Sequence, residues 1–302
     1  MAQSLQLQSA GAAENWASRR EESLWGRALR RFLRHKLALG GTIVLVALIL
    51  SAIFAPFVAG KDPYKIDLAH FREAPSAAHW LGTDAAGRDV YARLVYATRI
   101  SLSVGLVSVG ISVFIGTVLG AVAGYYGGWV DTLLMRITDI FLCFPSLVII
   151  LVVVALVGPS IYNVMAVIGL LSWPSVSRLV RGQFLSIRQV DFVTAARCLG
   201  AYDRQIIFKH IFPSALSPII VNATFGIAYA ILTEAGLSFL GLGVQPPTAS
   251  WGNMLLDAQS LTILENMPWL WAPPGFAILI TVLVINFIGD GLRDALDPRM
   301  TV

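Results

Sequence analysis

The stretch TAARCLGAYDRQIIFKHIFP, residues 194–213, is a polar island between apolar neighbours. LSWPSVSRLV precedes it and SPIIVNATFGIAYAIL follows it, and both flanks have the character of lipid-soluble helices. The island itself is small, basic and helix-forming, with one glycine at its middle. Its surroundings are those of the whole chain, which is 56% hydrophobic and 13% charged. A typical soluble domain carries roughly 25% charged residues. A soluble fold of 302 residues has no means of hiding so much apolar surface, so the class is all-α integral membrane.

Six apolar runs are long enough to cross or nearly cross a bilayer core, at about 37–58, 101–125, 132–157, 162–180, 217–242 and 275–288. A signal peptide in place of the first would need a shorter apolar region and a shorter leader. Glycines at 105, 110, 116, 120 and 124 predict close helix approach along the second run. Pro145 and Pro174 predict kinks in the third and fourth. Ahead of the first run, Leu24/Trp25, Ala28/Leu29 and Phe32/Leu33 recur every four residues with arginines opposite, the pattern of a basic amphipathic surface helix. Residues 1–18 read as a disordered tail. The chain divides into the tail and basic helix (1–36), the first span with an extramembrane segment (37–97), and a five-span unit (98–302). In the extramembrane segment, Thr83 or Asp84 is the expected N-cap of a helix.

Six spans put both termini on one side. Sixteen basic residues fall on that side and six on the other, so the termini and the island are expected to face the cytoplasm. The formal charge of +4 reflects this orientation signal rather than a nucleic-acid-binding face, because seven of the 22 basic residues lie between Arg19 and Lys36.

Motifs for chemistry are missing. None of the four lysines sits in a P-loop, the four histidines are scattered, there is no HExxH or GxSxG, and Cys143 and Cys198 have no partner at metal-ligand spacing. No catalytic residue, metal site or cofactor of this chain is expected. Glu234 is the one ionisable residue well inside an apolar run. With Asn222 and Ser238 it makes a polar stripe that either borders a wet path or packs against another helix. A path would suit a stand-alone channel or ion-coupled carrier. The loop QPPTASW, with Pro246, Pro247 and Trp251, is expected to present a stiff turn and an exposed aromatic, as is Trp80.

The island reads as two short helices joined at Gly200, the first opened by Asp191 as N-cap and the second running from about Asp203 until Pro213 breaks it. Phe192, Leu199, Ile206 and Ile207 remain to be covered, and Arg188, Arg197, Arg204 and Lys209 form basic rims. A knob shaped for a partner's groove accounts for both features.

These residues resemble the "EAA" coupling motif of ABC importer permeases. Thr194-Ala195-Ala196, Gly200 and Pro213 fall at the family spacing, with Thr194 in place of the acid, His210 of the isoleucine and Phe212 of the leucine. HWLGTDAAGRDVYARL, GYYGGWVD, LSFLGLGVQPPTASWGNML and GDGLRDALDP extend the likeness over nearly the whole chain, from about residue 28. Together they are similar to the C-type permease of dipeptide/oligopeptide importers. That resemblance implies an N-terminal helix plus a five-helix type I transport core in the bacterial inner membrane. It implies a homologous second permease, two ABC ATPase subunits that hold ATP and Mg, and an extracytoplasmic binding protein. Coupling would run through Thr194, Ala195, Ala196, Arg197, Gly200, Arg204 and Pro213 within coupling helices at about 188–213. Trp80, Pro246, Pro247 and Trp251 would dock the binding protein. The substrate is expected to be a peptide, with nickel or glutathione as alternatives.

Overall fold

The computed structural model describes residues 24–296, without the side chains of Leu24, Trp25 and Arg27. The expected disorder of 1–18, the basic pair Arg19 and Arg20, the Leu24/Trp25 step and the tail with Arg299 lie outside the described residues. Within them all regular secondary structure is helical, apart from one isolated bridge between Thr83 and Asp89. Helix α1 (Leu24–Arg34) leads into α2 (Lys36–Ile53), which His35 caps by accepting the Ala38 N–H at 3.1 Å. A short α3 (Ala55–Ala59) and an extramembrane segment precede α4 (Val90–Tyr126). Then come α5 (Gly128–Leu142), α6 (Ser146–Val157), α7 (Ile161–Ile187) and α8 (Asp191–Cys198). Helix α9 (Asp203–Phe239) passes through a π turn at Ile206–Ile211. Two short helices, α10 (Trp251–Met254) and α11 (Leu261–Asn266), lead to α12 (Pro268–Leu296).

Among the described residues five helices, α2, α4, α7, α9 and α12, are long and apolar enough to cross a membrane. The third expected span is the bent pair α5–α6, turned by 79° at the break that holds Pro145. Proline has no N–H to continue the ladder and crowds the preceding turn, so the bend falls where the sequence placed a kink. Pro174, by contrast, lies inside an α7 that runs on to Ile187. Several helices are longer than their apolar runs. With 37 residues, α4 is about 55 Å long at ~1.5 Å per residue, well beyond a core of ~30 Å.

Helix α4 is the central post. It packs along α7 on one side and against α9 on another, while α12 joins α9 to α2 and carries α1. The glycine stripe sets the α4–α7 distance. A Cβ on Gly116 would sit 2.8 Å from the Trp173 carbonyl oxygen, and one on Gly124 would sit 2.8 Å from that of Arg181. Small residues every four positions bring the two backbones together where lipid supplies no hydrophobic drive. Gly105 meets Ile227 and Ile231 of α9, while Gly110 faces open space and takes no part.

The helix expected to open at Thr83 or Asp84 opens instead at Val90, with Asp89 as N-cap accepting the Ala92 N–H at 2.9 Å. Thr83 is buried and receives the Glu73 N–H at 2.8 Å, so it organises the loop before the helix. Four of the six basic residues on this side are engaged. Lys61 pairs with Asp89, Arg88 and Arg93 with Asp84, and Arg99 donates to the last carbonyls of α2, Ala52 and Ile53.

Candidate coupling knob and central cavity

The polar island projects from one end of the bundle as a knob. Helix α8 starts after Val190, so Asp191 stands in the first turn, where its charge complements the helix dipole, and is not the cap. The helix ends as a Schellman motif. The Gly200 N–H donates to Arg197 O at 3.0 Å and the Ala201 N–H reaches back to Ala196 O at 3.1 Å. Gly200 itself has φ +82°, a left-handed backbone that a side chain disfavours.

Pro213 does not end the second helix. Residues Asp203–Phe239 form one continuous helical run, with Pro213 in the first turn of its α-helical part, just after the π turn. A wider π turn changes which carbonyl each N–H meets, and a proline, which has no N–H to place, suits the point where the ladder resets. The knob is therefore a rigid extension of a membrane helix.

Its inner face is apolar. Val193, Ile206 and Ile211 are fully buried and pack with Tyr125, Val180 and Phe184 from the ends of α4 and α7. Polar fasteners surround this plug. The Tyr125 hydroxyl donates to Asp203 Oδ1 at 2.5 Å, and Arg188 Nη1 donates to the carbonyls of Gly124 and Tyr125 at 3.1 and 3.0 Å. Arg181 forks onto Asp131 through two contacts of 2.6 Å, and Arg178 meets Asp139 at 2.6 Å. Asp139 thus belongs to an ion pair between α5 and α7.

The outer face is bare. Thr194, Ala195, Arg197 and Arg204 are exposed and Ala196 half-buried. Leu199 is 89% and Tyr202 79% exposed, and Phe192 and Phe208 are also open. Of the four apolar residues expected to need cover, Ile206 is buried by this chain and Ile207 half-buried, which leaves Phe192 and Leu199. Tyr202 and Phe208 complete the patch. Sequence spacing missed them because Tyr202 stands ahead of the helix as its N-cap and Phe208 falls within the π turn, which alters the helical spacing.

A second feature lies mid-bundle. A half-open cavity of about 340 Å³ is lined by α4, the α5–α6 break, α7 and α9. Ser108, Ser112, Ser146, Ser172, Ser175, Asn222 and Tyr229 supply its polar lining, and no charged side chain borders it. Asn222 is therefore one of the residues that line this cavity. Glu234 is not. Twelve residues at 100° each leave it a third of a turn from Asn222. It is fully buried, and its Oε1 accepts from Ser238 Oγ at 2.6 Å and Ser250 Oγ at 2.8 Å. Ser238 also receives the Val244 N–H at 3.1 Å. Glu234 and Ser238 thus pin the 241–254 loop to α9 rather than continue the polar stripe.

Trp251 is likewise a correction, because it is fully buried and its backbone N–H donates to Ser101 Oγ at 3.1 Å. The Ser250–Asn253 capping box sets it at the start of α10, pointing into the core. Trp80, at 67% exposure and against Tyr91 at 5.2 Å, remains at the surface, as do Pro246 and Pro247.

Residues 116–302 match the family described as binding-protein-dependent transport system inner membrane component, and residues 23–75 match the N-terminal TM domain of oligopeptide transport permease C. The chain is 45% identical to a dipeptide transport system permease protein of Alkalihalophilus pseudofirmus over 278 residues, 92% of this chain and 91% of that one. It is 40% identical to the oligopeptide transport system permease protein of Bacillus subtilis over 293 residues, 97% and 95% of the two chains. It is 43% identical to a glutathione transport system permease protein of Pectobacterium atrosepticum over 277 residues, 91% of each. With its helical spans and these matches, the chain belongs to the family of inner-membrane permease components of binding-protein-dependent transport systems.

Proposed function

We propose that this chain is one of two homologous permeases in an ATP-driven importer of peptides. The observation that carries this reading is the knob, a Schellman-capped helix α8 and the first turns of α9, with exposed apolar residues among arginines on its outer face and bolted to α4 and α7 on its inner face. One of two ABC ATPase subunits takes the exposed Phe192–Leu199–Tyr202–Phe208 patch and the other takes the knob of the partner permease; the ATPases hold the ATP and Mg, while this chain carries out no chemistry of its own. Closure of the ATPases moves the knob, and α9 transmits the movement because it is one continuous helix from Asp203 to Phe239. This is a two-state equilibrium biased by differential contacts.

The knob and both termini face the cytoplasm, and the segment before α4 and the loop after α9 face outward, where a binding protein delivers substrate beside Trp80, Pro246 and Pro247. The central cavity, extended by the partner permease, is the path. Its uncharged hydroxyl and amide lining suits a peptide backbone and tolerates varied side chains. The dipeptide and oligopeptide names of relatives support peptides as cargo, and the glutathione-transport relative makes that tripeptide the next candidate. A stand-alone carrier built on Glu234 loses its key group, since that carboxylate is buried against two serines.

Purification of the tagged chain in mild detergent from its host, with mass spectrometry of its companions, tests the proposal. Recovery of P-loop ATPases and a second multi-span permease is the expected result. A chain that emerges alone, or only with copies of itself, overturns it.

A further inference from the structure

On the side opposite the knob, a smaller cavity of about 140 Å³ lies between the start of α4 and the loop that follows α9. Arg93 lines it with a side chain only 6% exposed, and its Nη1 is buried without a hydrogen-bond acceptor. Asp84 has nothing left to offer that nitrogen. Its Oδ1 accepts the N–H groups of Ala86 and Arg88 at 2.8 and 3.0 Å, and its Oδ2 takes Arg88 Nε at 2.8 Å and Arg93 Nε at 3.3 Å. A carboxylate accepts about four such bonds, so Asp84 is saturated. Asp257 lines the same cavity from the opposite segment, half-buried, and it forms no ion pair with Arg93 or with any other described residue. A buried guanidinium nitrogen without an acceptor is costly to maintain. A cation donor and a carboxylate thus share one small cavity, near enough to feel each other's charge but without forming an ion pair.

We propose that this cavity is a subsite for a zwitterion of amino-acid or dipeptide size, with the ligand's carboxylate on Arg93 and its ammonium on Asp257. The assignment of this side as the entrance rests on the importer reading above. The cavity would hold the end of an incoming peptide before it reaches the central path.

The test uses the chain with its co-purifying subunits in nanodiscs, without binding protein, titrated calorimetrically with alanyl-alanine, its C-terminal amide and its N-acetyl form. Alanyl-alanine is expected to bind, and each blocked form to bind about tenfold or more weakly, the usual weight of one charge-assisted contact. Asp257→Asn, a near-isosteric change at a half-buried site, should make alanyl-alanine and its N-acetyl form equal. Arg93→Lys should weaken all ligands that carry a carboxylate. Absent binding, equal affinity for the three forms, or binding indifferent to both substitutions overturns the subsite. Persistence of co-purified ATPases in such a sample leaves the importer reading standing. Loss of the ATPases would fail that reading while the titration still reports on the cavity.

Discussion

Replacing Gly200 isolates one physical quantity, because a Cβ there would meet nothing within 4 Å. Any penalty is therefore one of backbone conformation rather than crowding. Gly200 has φ +82°, and a non-glycine L residue held in that region costs roughly 1–2 kcal/mol, less for asparagine and more for a β-branched side chain. If the Schellman cap opens to relieve the strain, 1–2 kcal/mol shifts the closed-to-open ratio by a factor of about 5–30. The two hydrogen bonds from Gly200 and Ala201 then loosen, and Leu199 and Tyr202 lose their fixed placement. Transport per ATP hydrolysed should fall in the order Gly, Asn, Ala, Val, at equal expression. The assay is paired measurement of peptide uptake and ATPase activity in proteoliposomes. A Gly200→Val transporter as tightly coupled as the wild type refutes the reasoning, as would Asn and Val variants with equal defects.

Other outcomes follow from single contacts. Gly120→Ala should lower thermal stability, since its Cβ would lie 2.8 Å from that of Val180, and overpacking costs about 1–3 kcal/mol. Gly110→Ala, facing open space in the same helix, should be neutral or stabilising in the same melt. Glu234→Ala leaves two buried serine hydroxyls without their acceptor, at about 1–3 kcal/mol each, and should expose the 241–254 loop to protease. Glu234→Gln keeps an acceptor and should protect that loop. Burial alone would raise the Asp89 carboxyl, but the Ala92 N–H, His79 and Lys61 outweigh it and hold the group below its ordinary 3.8. A carboxyl lowered by folding stabilises above its unfolded value and loses that contribution as the pH falls through the folded one. The melting temperature should drop on acidification toward that range, and Asp89→Asn should flatten the drop while it keeps the cap. A slope unchanged in the variant counts against the pairing.

Much of the fold was legible because lipid makes apolar length an almost sufficient signal. Five of the six runs became single long helices, and Pro145 bent the remaining one. The ends of the helices were not legible. Residues 90–100, expected in a short helix of the extramembrane segment, are continuous with the span that follows, and residues 268–274 are helical although their prolines read as loop. Tertiary partners, such as Asp84 for Arg93 and the α2 carbonyls for Arg99, accommodate the charges of the first stretch. At the knob, glycine and spacing disclosed the turn at Gly200. The anchoring of Arg188 and Asp203 on α4 depends on contacts between residues some 60 to 80 positions apart, and the π turn that displaces Phe208 was not foreseen. Glu234 was visible as an unusual residue, but its role depended on Ser250, which a loop returns to α9. Trp251 read as exposed because a loop tryptophan after two prolines gives no sign of the capping box that turns it inward.

The central claim is that the knob's outer face holds the ATPase. Its most direct test is cross-linking in intact membranes from a photoreactive side chain at Leu199, with one at Trp80 as the opposite-side control. The account predicts a cross-link from position 199 to a P-loop ATPase and none from position 80. An ATPase captured from position 80, or none from position 199 in a transporter that remains active, would contradict it.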